Sequence, residues 1–116
     1  MIIIFYYLLH SNLYIMNKEI KFILCPSRHS HDEIDGLPSI FKETLDIECL
    51  EFTDEFKKVL NSSNLKLILY ITGLTPAYIE LIDYIDDNFE KNSICIIKRQ
   101  FNRKTGAYDL NCRIKN

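Results

Sequence analysis

Two short polar stretches hold most of the side chains that could do chemistry in this 116-residue chain. The first, Cys25-Pro26-Ser27-Arg28-His29-Ser30-His31-Asp32, gathers one arginine, two of the three histidines and two hydroxyls. An arginine presents a planar fork of N–H donors that matches phosphate, and a histidine exchanges protons near neutral pH. The second, Thr72-Gly73-Leu74-Thr75, stands directly before Pro76. A Thr-Gly loop that opens a helix gathers unpaired backbone N–H groups, which suit an anion. Candidate ligand-binding residues are therefore Ser27, Arg28, Thr72, Gly73, Leu74 and Thr75, with Leu74 placed either to cover the core or to pack on a ligand's base.

Competing motifs fail on spacing. A low-molecular-weight phosphatase loop needs arginine six positions after Cys25, where this chain has His31. His29-Ser30-His31-Asp32 approaches the H-x-H-x-D-H pattern of metallohydrolases, but Asp32 comes one position early and Ile34 replaces the last histidine. Neither a Walker loop nor G-x-G-x-x-G is present. No metal or other cofactor is expected. Near the C-terminus, Lys98, Arg99, Arg103, Lys104 and Arg113 form a local basic stretch. Charges on an edge hairpin guard against edge-to-edge pairing; Lys98 and Arg99 are also placed to reach a phosphate over the pocket, with Tyr108 available to stack a base or to fill the core.

The elements that must position these loops follow from hydrophobic periodicity. Ile20 to Cys25 is an apolar run ended by Pro26, and reads as a buried first strand. Gly36 and Pro38 favour a loop and then a short helix from about Pro38, and Leu45 to Phe52 reads as a second strand. Thr53 is a suitable N-cap for a helix that opens with Asp54 and Glu55 and stops at Asn61-Ser62-Ser63-Asn64. Leu65 to Ile71 is apolar apart from Lys66, as a central strand covered on both faces would be. Thr75 is expected to cap the next helix, with Pro76 in its first turn. Tyr78, Leu81, Ile82, Ile85 and Phe89 share one face of that helix, and Glu80, Asp83, Asp86, Asp87 and Glu90 the other. Ser93 to Phe101 and Ala107 to Ile114 form a hairpin whose loop ends at Gly106.

This order predicts a single α/β domain over residues 16–116: a Rossmann-like three-layer fold with a mostly parallel sheet and an antiparallel C-terminal edge hairpin. In such sheets a ligand sits beyond the carboxyl ends of the strands. Both polar loops lie there, and they share one pocket if the first strand and Leu65 to Ile71 are neighbours.

Composition narrows the class of partner. Hydrophobic residues make up 47% of the chain, enough for one core, and the net charge is -2. No long nucleic acid is expected, and any anion must be held by local charge. Cys25, Cys49 and Cys95 lie in apolar runs without zinc-type spacing, which predicts buried thiols and a cytoplasmic protein. The apolar run in residues 1–15 is too short to span a bilayer and lacks a basic lead. It reads either as an extension from an upstream start, Met16 opening a more usual polar lead, or as an extra strand or hydrophobic arm, and no membrane is expected.

The segments Ile23-Leu24-Cys25-Pro26-Ser27-Arg28-His29 and Tyr70-Ile71-Thr72-Gly73-Leu74-Thr75-Pro76 resemble the CRISPR-associated Rossmann-fold (CARF) proteins. Leu74 and Pro76 stand where those families usually carry glycine and lysine. The chain looks like their small stand-alone members of antiviral defence, some of which are ring nucleases. The resemblance implies that Thr72, Gly73 and Thr75 cradle the phosphates of a cyclic oligoadenylate while Arg28 offsets their charge. It implies a homodimer around a symmetric ligand. It further implies metal-independent cleavage by the ribose 2′-hydroxyl, with His29 or His31 protonating the leaving oxygen and Arg28 completing the catalytic set. The alternative function is a non-catalytic sensor, sponge or interaction module on the same scaffold.

Overall fold

The computed structural model describes residues 18–27, 30–43, 47–61, 64–73, 75–91 and 93–110. Within them, four strands form one sheet in the order β1 (Lys18–Ile23), β2 (Leu65–Tyr70), β3 (Ile94–Asn102) and β4 (Ala107–Leu110). The first three run parallel, and β4 turns back antiparallel along the end of β3. The α/β class, the mostly parallel sheet and the antiparallel edge hairpin are those the sequence predicts. Gly106, at φ +74, supplies the left-handed residue that closes the hairpin turn.

β2 lies between β1 and β3, and is buried at every position but Lys66. The Lys66 ammonium reaches Glu19 on β1 at 3.4 Å. The reason is compositional: β2 offers apolar side chains to both faces of the sheet. On one face, Leu67 and Leu69 join Phe22 of β1 and Leu24 just beyond it under two helices, α1 (Asp54–Leu60) and α2 (Thr75–Asn88). Phe56 of α1 and Ala77, Leu81 and Ile85 of α2 are the buried contacts. Thr53 caps α1 by accepting the Phe56 N–H at 3.3 Å, with Asp54 and Glu55 in the first turn and Lys57 and Lys58 in the last. Among the described residues, no helix is long and apolar enough to cross a membrane.

The opposite face is covered differently. Ile23, Ile68 and Tyr70 pack there against Ile34, Leu37 and the hairpin residues Phe101 and Tyr108. The third layer is thus a run of turns over residues 32–36, not a helix.

Two expected elements are absent. No helix begins at Pro38, because the backbone of 38–41 is drawn along β1: Ile23 N–H donates to the Pro38 carbonyl at 3.0 Å, and Ile40 N–H to that of Ile23 at 2.9 Å. The described part of the expected strand Leu45 to Phe52, residues 47–52, is not a strand either, and Leu45 and Asp46 lie outside the described residues. Ile47–Cys49 makes a 3-10 turn, and the only described pairing from that stretch is the antiparallel bridge of Phe52 with Phe41. The flanking bonds, Lys42 N–H to the Glu51 carbonyl and Thr53 N–H to that of Ile40, are 2.8 Å each. A strand exists only through its neighbours, and the one neighbour here is a three-residue segment that follows a proline.

Residues 39–41 lie on one flank of β1 and β2 on the other. The chain therefore leaves β1 in one direction and resumes on its far side, the kind of reversal that opens a crevice at the strand ends.

Candidate functional site

β1 and β2 remain paired as they end, with Leu24 N–H donating to the Tyr70 carbonyl at 2.9 Å. One step later the two loops are tied by a side chain. Thr72 is 6% exposed; its hydroxyl accepts the Cys25 N–H at 3.1 Å and donates to the Cys25 carbonyl. A hydroxyl has one hydrogen to give, and that of Thr72 is committed to Cys25. Thr72 therefore acts as a latch between the two candidate loops.

Gly73 completes the junction. Its φ is +79, and a Cβ placed there would lie 2.9 Å from the Cys25 Cβ. Only glycine meets both conditions without a shift of Cys25. Gly73 and Thr75 face solvent, and α2 starts at Thr75 itself, one residue before the start that Thr75 as cap would give. The adjoining Leu74 lies outside the described residues.

The β1 loop is organised by Asp35. One carboxylate oxygen accepts the Ser30 hydroxyl at 2.7 Å and the other accepts the His31 N–H at 3.2 Å. Ile34 and Asp35 return N–H bonds to the His31 carbonyl at 3.0 and 2.9 Å. The half-buried His31 ring lies against Phe101, centroids 4.7 Å apart at 35°, and meets the edge of Tyr108 at 5.8 Å. Tyr108 also packs on Tyr70 at 5.6 Å. Burial, with a smaller contribution from the Glu33 carboxylate, pushes the Tyr108 phenol above its ordinary range. Tyr108 is thus a core residue.

Inside this loop is an open cup of about 370 Å³ with Ile23, Ile34 and Leu37 in its wall and Ser27, Ser30 and Asp35 as its polar groups. Arg28 and His29 lie outside the described residues, as do residues 1–17.

Among the described residues, the basic stretch does not form one surface. Lys98 is in register with Leu69 and Arg99 with Tyr70, so the two side chains leave opposite faces of the sheet. Arg99 shares the face of Tyr70 and Tyr108 and is half-buried, donating to the Lys98 carbonyl at 3.2 Å, whereas Lys98 is exposed on the helix-bearing side. Arg103 and Lys104 are exposed in the hairpin turn, and Arg113 is outside the described residues. Two thiols also depart from expectation: Cys49 and Cys95 are exposed, because the 3-10 turn and the outward register of β3 face them to solvent. Among the described residues, no group of three or more His, Cys, Asp or Glu side chains is placed to hold a metal ion.

The structure thus holds Thr72 and Gly73 against Cys25 at the ends of β1 and β2; Ser27 and His31 follow in the β1 loop, Thr75 opens α2, and Arg99 of β3 is in register with Tyr70, the last residue of β2. Asp35 was not among the residues singled out from sequence. The Asp35-Gly36 pair, with Gly36 at φ +83, is the turn signal that points to it. Contact of His31 with Phe101 spans distant parts of the chain and has no local signature.

No family model, no curated protein and no solved structure matches this chain.

Proposed function

We propose that this protein binds a phosphate-bearing nucleotide at the joined ends of β1 and β2, and that the nucleotide is a cyclic oligoadenylate, which it cleaves as a metal-independent ring nuclease of CRISPR-associated defence. The observation that carries the reading is the Thr72–Cys25 latch with Gly73 packed on Cys25. It locks two polar loops side by side at the sheet reversal, where a nucleotide needs a rigid floor.

In this reading the exposed Gly73 and Thr75, at the start of α2, receive phosphate, and Arg28 and Arg99 supply positive charge. His31, in the loop that follows β1, is steadied against Phe101. The 2′-hydroxyl of the ligand attacks the adjacent phosphorus and loses its proton to solvent. The P–O5′ bond breaks, and His31 or His29 gives the 5′ oxygen its proton. The products are a 2′,3′-cyclic phosphate and a 5′-hydroxyl. A symmetric ring implies a twofold homodimer in the cytoplasm.

The test is incubation of the purified protein with a panel of cyclic oligoadenylates, with and without EDTA, following both binding and products. Cleavage that survives EDTA, leaves a 2′,3′-cyclic phosphate and falls at least about 100-fold in the His29→Ala, His31→Ala double variant supports the mechanism. Abolition by chelator with rescue by manganese or zinc overturns it in favour of a metal site at His29, His31 and Asp32. Tight binding without turnover makes the protein a sensor or sponge.

A further inference from the structure

We infer that the cup within the β1 loop takes the nucleoside portion of the ligand, leaving the phosphate to the Gly73 and Thr75 side of the crevice. This rests on the nucleotide reading above and divides that site into two parts.

The chemistry of the wall distinguishes the parts. Ile23, Ile34 and Leu37 give the cup an apolar part of its wall, and about 370 Å³ falls within the range that holds small organic ligands. Among the described residues that line it, Asp35 is the one charged side chain. Each Asp35 oxygen already accepts one bond, from Ser30 or from the His31 backbone, and a carboxylate oxygen can accept another. The Ser30 hydroxyl has given its hydrogen to Asp35, so it too is left as an acceptor. The described lining therefore presents acceptors and one carboxylate beside apolar side chains. That suits a neutral ring or sugar bearing amino or hydroxyl donors, as adenosine does. The clamp on Ser30 and His31 forms the cup before any ligand arrives, so little ordering is needed on binding.

The experiment is backbone amide NMR of the full chain titrated separately with adenosine, AMP and inorganic phosphate. Adenosine is expected to shift Ser30, Ile34 and Leu37, phosphate alone to shift Gly73 and Thr75, and AMP to shift both sets. Asp35→Asn, checked for an unchanged fold by its own spectrum, should weaken adenosine about tenfold or more, the loss expected when a hydrogen bond to a charged group is removed. Leu37→Ala, which leaves the clamp intact, should weaken adenosine and not phosphate. Cup amides that ignore adenosine while phosphate and AMP shift Gly73 and Thr75 would overturn the inference and leave the nucleotide site standing. Silence at both places with all three probes would overturn both.

Discussion

Replacing Thr72 by valine keeps the shape of the side chain and removes its hydroxyl. In the protein that hydroxyl both accepts from and donates to the Cys25 backbone, within a residue only 6% exposed. The substitution leaves an N–H and a carbonyl at Cys25 without that partner, under a methyl group that hinders water. An unsatisfied buried polar group costs about 1–3 kcal/mol. Because Cys25 itself is partly exposed, each group falls near the low end, and Thr72→Val should cost about 2–3 kcal/mol. For a domain of this size that corresponds to a fall in Tm of roughly 8–12 °C. Thr72→Ser keeps the hydroxyl, loses one methyl, and should cost about 0.8 kcal/mol. Urea denaturation of the three proteins measures the differences directly. A Thr72→Val variant within about 0.5 kcal/mol of the parent, less than one net hydrogen bond contributes, would refute the latch and return the hydroxyl to the list of possible phosphate donors.

Gly73→Ala should lose at least about 1–2 kcal/mol from its left-handed backbone alone, and more from the 2.9 Å approach to Cys25, as read by the same denaturation. Arg28→Ala should weaken any phosphate-bearing ligand by roughly 1.5–3 kcal/mol without loss of fold, measured by calorimetry; unchanged affinity would remove it from the site. Tyr108 binds its proton more tightly in the folded state, so its contribution to stability is fully present below the ordinary tyrosine range and is lost as pH rises through its raised value. Ultraviolet titration should show a late-ionising phenol that disappears in Tyr108→Phe and moves only slightly earlier in Glu33→Gln, since burial is the larger cause; a large shift in Glu33→Gln would reverse that order.

The elements legible in the sequence were those whose signals are local. Thr53 with Asp54 and Glu55 announces α1, the apolar run of β2 announces a central strand, and Gly106 announces the hairpin. The expected strand Leu45 to Phe52 misled because its described apolar residues serve the core with a single bridge rather than a ladder: Phe52 stacks on Phe41 at 5.2 Å and tilts against Phe56 at 5.2 Å. The periodicity of a strand and of an irregular segment that buries alternate residues is the same. At the site, the condition that the strand pair be neighbours is met by β1 and β2, whereas the roles of the loop residues are not legible from their types. Thr72 reads as a phosphate donor until Cys25 is seen beside it, 47 residues away in the chain. Lys98 and Arg99, adjacent in sequence, are separated by the pleat.

The central claim is that the joined ends of β1 and β2 form the ligand site, and hydrogen–deuterium exchange of the full chain with and without cyclic oligoadenylates tests it most directly. The account predicts slowed exchange in residues 24–37 and 71–79, with the helix-bearing face and the hairpin turn unchanged. Slowed exchange confined to the outer surface of α1 and α2, or none at saturating ligand, would contradict it.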